Sequence, residues 1–373
     1  MVRSNQVLVV GAGYAGVCAA NRIAAAGIPG TRVRVINPRA DFVERIRLHQ
    51  LAAGTGSATR PLRELLHPDV DLVLSSAERI GDGIVALDDG AELGFDYLVY
   101  AVGSTVDPVP HGHVVGAVTG AERLRSALDV LGPGERVVVS GAGLTGIETA
   151  TEIALARSDL AVELISDSVA ASLPVRGRKT VSRLLARVGV SVRTGVTVTG
   201  THAGGVELSD GTSRSTGCTV HTTGFTVPDL ARRSGLPVDA RGRLVTDARL
   251  ICPADPRIVG VGDAAAPSGV GLRMSCQAAI PMGRDGAGAI VAMLTGKEPR
   301  AHRVRFVGQA ISLGRGAGLI QPSWRDDTPV GPPITGRLAG LLKESVCRWT
   351  IRRIRSGHRS TTGRPRLSER NPA

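Results

Sequence analysis

Aromatic residues are scarce in this 373-residue sequence, where Phe, Trp and Tyr together make up only 2%. Proteins that bind single-stranded nucleic acid stack the bases on aromatic side chains. The scarcity therefore argues against a nucleic-acid partner, even though the formal net charge is +12. Lysine is also rare and occurs only at Lys179, Lys297 and Lys343. The basic excess is thus almost wholly arginine, a bias that a GC-rich genome produces without any selection for binding.

Cysteine is sparse and scattered, with five residues and no C-x-x-C or C-x4-C spacing. Such spacings are what a local redox disulfide or a zinc site would need. We therefore expect the five thiols to be reduced and structural, and we predict no metal site.

Long apolar runs are missing as well. No window approaches the roughly 18 uninterrupted apolar residues that mark a transmembrane helix. The first residues lead into an apolar strand without an export segment, which predicts a cytoplasmic protein. A chain of 373 residues is long enough for two domains, each with its own core.

Glycine, by contrast, is abundant, with 48 residues. A short apolar run at residues 7–10 predicts a buried parallel strand, and a glycine-rich turn and an alanine-rich helix follow it. Residues 32–36 supply a second strand, which completes a βαβ unit. In such a turn, the missing side chains let a pyrophosphate approach backbone N–H groups at a helix N-terminus. The candidate cofactor-binding residues are Gly11, Ala12, Gly13, Tyr14, Ala15 and Gly16.

The same pattern occurs a second time, about 130 residues further along the chain. An apolar strand at residues 137–140 precedes a G-x-G-x-x-G turn, a helix to about Ala156 and another strand at residues 161–165. Two such turns, each between a strand and a helix, predict two Rossmann-type folds and two bound dinucleotides. The candidate binding residues of the second turn are Gly141, Gly143, Thr145 and Gly146.

The ribose positions depart from the usual pattern. An acidic residue at the end of the second strand would accept two hydrogen bonds from a ribose diol, whereas Asn37 offers one carbonyl oxygen and a donor amide. The matching position in the second half is Ser166, followed by Asp167. Arg176 and Arg178 stand in the next segment, within reach of a 2′-phosphate. We favour NADH over NADPH at this stage.

Each half closes with a strand that ends in a small-residue turn, at residues 97–104 and 218–225. Gly103 and Gly224 lie in these turns and are further candidates. A later strand, at residues 258–263, ends in Asp263, which the sequence predicts as the cap of a helix over residues 264–266. Glu148 lies in the first turn of the second glycine-turn helix. It is either a favourable helix-start residue or a carboxylate that faces the nicotinamide ring.

Taken in this order, these segments resemble the two-dinucleotide-binding-domain flavoproteins of the pyridine nucleotide-disulfide oxidoreductase superfamily. The resemblance is greatest to type II NADH dehydrogenases and ferroptosis-suppressor-type NAD(P)H:quinone reductases, and it spans roughly residues 6–355. It implies an α/β fold with two Rossmann-like domains, FAD as the resident cofactor and NADH or NADPH as the hydride donor. It further implies a quinone or a small redox protein as the electron acceptor.

The resemblance also implies roles for individual residues. Asp263 would bind the ribityl chain of FAD, Ala101 to Gly103 would line its adenine side, and Gln50 and Ala77 would touch the same cofactor. The family's quinone segment, A-Q-x-A-x-Q-x-G, corresponds here to residues 276–283. Gln277 keeps the first glutamine and is a catalytic candidate beside Glu148.

The second glutamine of that quinone segment is replaced by Pro281, which leaves the acceptor open. A ferredoxin-type reductase, a pathway-specific oxidoreductase and a nucleotide-sensing flavoprotein without turnover are the alternatives to a quinone reductase. Cys276 has no partner cysteine nearby in the sequence, so we expect its thiol to serve packing.

The predicted domain organisation follows from these assignments. Residues 1–108 and 240–300 form the FAD-binding domain, and residues 109–239 form the NAD(P)H-binding domain. Residues 301–356 form a small C-terminal region, which is either an interface, in a homodimer for example, or a membrane-proximal segment. Residues 357–373 are predicted to be disordered.

The C-terminal region contains a basic amphipathic helix over residues 337–354. Its apolar stripe either packs on the protein's own core or seats the protein peripherally on the inner face of a membrane. The stripe consists of Leu338, Leu341, Leu342, Val346 and Trp349. The resemblance places Lys343 close to the flavin-side tunnel.

Overall fold

The computed structural model describes residues 4–268, 271–303, 305–314 and 316–355. The predicted disordered tail lies outside these ranges. The described chain forms two parallel sheets, each covered by helices, together with several small antiparallel sheets. This is the predicted α/β class with two Rossmann-like units.

The first sheet has six strands. From edge to edge its strands are Ile251–Cys252, Asp255–Gly260, Tyr97–Tyr100, Asn5–Val10, Thr31–Ile36 and Val70–Val73. All neighbours are parallel except the edge hairpin formed by the first two. Val7 and Val9 face one apolar cluster, whereas Leu8 and Val10 face another. Both faces of the sheet are therefore buried, as the continuous apolar run predicts.

The second sheet has five parallel strands and contains the second glycine turn. Its strands, in order, are His113–Val114, Cys218–His221, Arg136–Ser140, Ala161–Ser166 and Ser191–Thr194. Both sheets carry an antiparallel addition of three strands. These are Ala77–Gly81, Ile84–Leu87 and Glu92–Gly94 in the first half, and Val198–His202, Gly205–Leu208 and Ser213–Ser215 in the second.

Short strand pairs and a third small sheet connect these units. The pairs are Thr105–Val106 with Phe225–Thr226, Leu244–Thr246 with Ala265–Pro267, and Asp41–Val43 with Thr59–Pro61. The third sheet contains Gly308–Ser312, Gly318–Pro322 and Ile334–Gly336.

The α-helices are Tyr14–Ala25, Leu48–Ala52, Val118–Asp129, Leu144–Ala156, Val175–Arg187, Leu230–Arg233, Cys276–Leu294 and Arg337–Ile354. Single 3-10 turns occur at Arg45–Arg47 and Leu62–Glu64. Cys276–Leu294 packs closely on the first glycine-turn helix, because a Cβ on Gly283 would lie 2.3 Å from the carbonyl oxygen of Ala15. This contact fixes the start of the long helix beside the first glycine turn. Among the described residues, no helix combines the length and the apolarity needed to cross a membrane.

Candidate active site

The two glycine turns have nearly the same backbone conformation. Gly11 has a φ of +100° and Gly141 a φ of +99°, both outside the range that other residues readily adopt. A Cβ on Gly11 would lie 2.4 Å from the carbonyl oxygen of Ala101, and one on Gly141 would lie 2.5 Å from the side chain of Thr223. Glycine is therefore required at the start of both turns.

The middle glycine of each turn faces open space. A Cβ on Gly13 or Gly143 would meet no atom within 4 Å, whereas one on Gly16 or Gly146 would collide with the carbonyl oxygen of the first glycine. Each helix thus begins at a backbone that a bulky group can approach, next to N–H groups that have no partner within the helix. This is the geometry that a pyrophosphate needs, so the residues present fit a dinucleotide at both turns.

A single cavity joins the two units. It is lined by most of the first glycine turn, by Thr145 and Glu148 of the second helix, and by the start of the long helix at Cys276. The predicted site residues that the cavity brings together are Gly11, Ala12, Gly13, Tyr14, Ala15, Asn37, Ala101, Gly103, Thr145, Glu148 and Asp263. Residues 120 or more positions apart in the sequence therefore share one site.

Asp263 lies in this cavity and accepts a hydrogen bond of 2.7 Å from the Ser104 hydroxyl. Arg45 donates to the carbonyl oxygen of Ser104 and stacks over the ring of Phe225 at 5.5 Å. Burial lowers the pKa of Arg45, and Asp263 partly opposes that effect. The segment after Asp263 forms the strand Ala265–Pro267, so the alternative prediction of a helix there, capped by Asp263, was wrong.

Asn37 has both ends of its amide occupied. Its carbonyl oxygen accepts from the Ala12 N–H at 3.1 Å, and its amide donates to the carbonyl oxygen of Arg39 at 2.7 Å. Asn37 therefore braces the glycine turn. Its predicted part in ribose binding stays a prediction.

Three predicted residues lie elsewhere. Gln50 accepts a hydrogen bond from Arg47 in a second, more polar cavity. Ala77 packs in the apolar cluster under the small sheet of the first half. Gln277 donates to the carbonyl oxygen of Gly308 at 2.7 Å and accepts from the Val307 N–H at 3.2 Å. Both ends of the Gln277 amide thus tie the long helix to the C-terminal region.

The remaining candidates lie at the edges of the second unit. Ser166 ends its strand, and its neighbour Asp167 lines a surface cleft with Arg178, Lys179 and Arg183. Gly224 has a φ of +83° and precedes Phe225, which lines the shared cavity. The predicted roles of these residues in nucleotide binding stay predictions.

Glu148 is buried and forms an ion pair with Lys343 of the C-terminal helix, with 3.0 Å between Oε1 and Nζ. The same oxygen accepts from the Ser312 N–H at 2.8 Å. Burial alone would raise the pKa of Glu148, but Lys343 and His49 outweigh it and hold this pKa below its ordinary value. Glu148 is therefore a carboxylate within the cavity, and its predicted role of facing the nicotinamide ring stays a prediction.

Two residues in this cavity have no sequence signal of their own. Arg45 and His49 come from a short segment that matches no motif, and their roles depend on partners distant in the chain. The one feature that could have pointed to them is their position, because they follow the strand Asp41–Val43 of the first nucleotide unit.

The C-terminal helix presents its apolar stripe outward. Leu341 is 68% exposed and Trp349 53%, so the alternative that this stripe packs on the protein's own core was wrong. The opposite side of the helix is buried instead, through Ala339, Cys347, Thr350, Ile351 and Ile354.

Both glycine turns fit a pyrophosphate, and Thr145 of the second turn lines the same cavity as the first turn. Together they define a flavoprotein oxidoreductase that uses FAD and a nicotinamide nucleotide. Residues 5–283 match the family model described as pyridine nucleotide-disulphide oxidoreductase, and the chain belongs to that family.

Relatives of known name agree with this assignment. The chain is 31% identical to an NADH dehydrogenase-like protein of Mycobacterium tuberculosis, over 92% of this chain and 98% of that protein. It is 28% identical to the type II NADH:quinone oxidoreductase of the same organism, over 80% of this chain and 74% of that protein. The fold is similar to that of NDH2 from Plasmodium falciparum, solved in complex with NADH, with a TM-score of 0.80 and 13% identity. That similarity covers 95% of this chain and 98% of the other.

Proposed function

We propose that this protein is an NADH dehydrogenase that passes electrons through FAD to a quinone, from a peripheral position on a membrane. When bound, FAD accepts a hydride from the nucleotide and returns two electrons to the acceptor. The chain's own residues would bind and orient both cofactors, since each glycine turn would hold one pyrophosphate at its helix N-terminus.

The observation that carries the quinone assignment is the exposed apolar stripe of the C-terminal helix. The same helix carries Lys343, whose partner Glu148 lines the shared cavity. A lipid-dissolved acceptor that meets this stripe would thus reach the helix whose Lys343 contacts Glu148 in the lining of the shared cavity. The type II NADH:quinone oxidoreductase among the relatives supports the same acceptor.

Charge supports the membrane position. Arg348, Arg352 and Arg355 are exposed on the helix that carries the apolar stripe. An amphipathic helix with an apolar face and flanking cations binds the interface of an anionic bilayer.

The quinone assignment is tested with purified, flavin-loaded protein, NADH and a soluble quinone analogue. We expect rapid turnover. If turnover occurs only when an iron–sulfur protein is added, the electron acceptor is a small redox protein and not a quinone. A long-lived charge-transfer band with negligible turnover would identify a nucleotide sensor instead.

The membrane position is tested by cosedimentation with vesicles that contain an anionic lipid. The double variant Leu341→Glu and Trp349→Glu should lose most of the binding. The matched control is Val130→Glu. Val130 is 82% exposed and lies at the end of a different helix, so this substitution should not affect vesicle binding. Equal binding of all three proteins would overturn the membrane position.

The nucleotide assignment rests on Ser166 and Asp167 at the ribose edge, where a carboxylate repels a 2′-phosphate. Arg178 and Lys179 share the cleft with Asp167 and moderate that repulsion. We expect kcat/KM to be higher with NADH than with NADPH. In Asp167→Asn, the ratio of the two kcat/KM values should be smaller than in wild type. A wild-type preference for NADPH would contradict the assignment.

A further inference from the structure

His49 lies between two cavities. It lines the shared cofactor cavity and also a second cavity, which we call the polar cavity. The polar cavity has a volume of about 640 Å³, enough for several waters at about 30 Å³ each. Charged and polar side chains line it, among them Glu44, Arg47, Gln50, Arg60, Lys343 and Glu344.

The imidazole of His49 is buried, with 4% of the residue exposed. Its Nε2 has no hydrogen-bond partner among the described residues. Its Nδ1 lies 3.9 Å from Oε2 of Glu148, too far for a hydrogen bond. Buried polar atoms in folded proteins are nearly always hydrogen-bonded, so an imidazole with this little bonding suggests a functional use.

The charges around His49 come from two helices and from its own segment. Glu148 and Glu152 belong to the second glycine-turn helix, Lys343 to the C-terminal helix, and Arg47 precedes His49 in its own segment. Burial lowers the pKa of His49 below 6.5, and the nearby cations add to this effect while the carboxylates oppose it. At neutral pH the ring is therefore uncharged, with one nitrogen able to accept a proton and the other able to donate one.

We infer that His49 relays the proton that quinone reduction takes from solvent, passing it from the polar cavity to the cofactor cavity. This inference rests on the proposed function, because only an acceptor that gains protons needs such a supply.

The balance of the reaction requires one such proton. NADH and a quinone yield NAD⁺ and a quinol, which takes one hydrogen and both electrons from the hydride and its second hydrogen as a proton from water. In the relay, an N–H bond forms on Nε2 of His49, the nitrogen without a hydrogen-bond partner among the described residues. The N–H bond on the other nitrogen breaks as its proton moves to the quinone oxygen. No electron passes through the ring, and a ring flip or tautomer exchange resets it.

The pair formed by Glu148 and Lys343 positions this ring. Because Lys343 keeps Glu148 ionised, a carboxylate faces Nδ1 and favours a proton on that nitrogen. Nε2 is then the nitrogen left to accept.

The first test is histidine NMR on the flavin-loaded protein, whose eight histidines are few enough to assign. The His49 resonance is identified by its loss in His49→Gln. We expect it to titrate below the ordinary range and to report a neutral ring with one protonated nitrogen at neutral pH. A ring that stays charged at neutral pH, or that never titrates, would overturn the relay.

The second test is stopped-flow reoxidation of enzyme reduced by NADH. With a quinone analogue, His49→Gln should slow the reaction at least about ten-fold and raise its solvent deuterium isotope effect. With ferricyanide, which takes electrons and no proton, the same variant should be slowed far less than with the quinone, and the rate of flavin reduction by NADH is measured separately. Equal slowing with both acceptors, or no slowing with the quinone, would refute the relay.

Two further proteins keep this test decisive. His302→Gln is the matched control. The side chain of His302 is also buried, and its Nε2 has no hydrogen-bond partner among the described residues. Its Nδ1, however, hydrogen-bonds to Asp285, and His302 lines neither cavity. Its quinone rate should equal wild type. If His49→Gln folds poorly, His49→Ala with added imidazole replaces it, and rescue of the quinone rate supports the relay while absence of rescue refutes it. A wild-type enzyme that reduces no quinone overturns the proposed function and not only the relay.

Discussion

Nζ of Lys343 and Oε1 of Glu148 lie 3.0 Å apart, both largely buried, and link the C-terminal helix to the second nucleotide unit. Lys343 also donates to the carbonyl oxygen of Ala310 at 3.0 Å. Burial lowers the pKa of Lys343, but Glu148 outweighs it and leaves this pKa above its ordinary value. The pair therefore holds a full charge of each sign beside the cofactor cavity at neutral pH.

Lys343→Met should destabilise the protein by about 3–5 kcal/mol, because it leaves Glu148 buried without its cation. Urea unfolding followed by circular dichroism measures this loss. The control is Arg348→Met, which removes an exposed partner of Glu344 and should cost less than about 1 kcal/mol. Similar losses of unfolding free energy in the two variants would show that the buried pair stabilises the protein no more than the exposed pair does.

Glu148→Gln should slow flavin reduction by NADH by about 10- to 100-fold, the range that misplacement of a reacting group produces. Stopped-flow absorbance at saturating NADH, normalised to bound flavin, measures the rate. Glu152→Gln is the control, since Glu152 lies one turn further along the same helix and bonds Thr55. A normal rate in Glu148→Gln would remove this residue from the reaction.

Stability should fall as the pH is lowered from about 7.5 to about 5, and part of this fall should depend on His49. The folded pKa of His49 is depressed, so the unfolded chain binds a proton near 6.5 that the folded protein resists. The contribution of His49 is thus present above that value and declines as the pH falls through the folded pKa. Thermal unfolding across this range should show a shallower decline for His49→Gln than for wild type. Parallel curves for the two proteins would contradict the depressed pKa.

Gly11→Ala should yield protein without bound FAD, because the new Cβ would meet the carbonyl oxygen of Ala101 at 2.4 Å in a conformation with positive φ. The flavin absorbance of the purified protein reports the loss. Gly27→Ala is the control, since Gly27 also has a positive φ but open space around its Cα. Its cost should be limited to roughly 1 kcal/mol of backbone strain, and it should stay yellow. A yellow Gly11→Ala protein would show that the first turn does not bind FAD.

The glycine turns were predictable because each is specified within one short segment. Gly11 and Gly141 follow apolar strands directly, and the local sequence dictates both the turn and the helix after it. The hairpins between Leu87 and Glu92 and between Leu208 and Ser213 are specified just as locally, because each turns at an Asp-Gly pair.

Contacts between distant segments could not be predicted. Gln277 was predicted as a catalytic candidate, which stays a prediction, and its amide meets backbone groups of residues 307 and 308 that no local pattern places there. His49 depends on Glu148 and Lys343, which are distant in the chain. The C-terminal helix carries apolar side chains on both sides, so its sequence could not decide which side faces solvent.

The strand Asp255–Gly260 pairs with Tyr97–Tyr100 although the entire second nucleotide unit lies between them in the chain. During synthesis on the ribosome, one edge of the Tyr97–Tyr100 strand therefore stays unpaired until the second nucleotide unit has been synthesised. Open sheet edges recruit other chains. Ribosomes that stall before residue 255 should consequently release aggregation-prone fragments. The second nucleotide unit would be complete before the first sheet is.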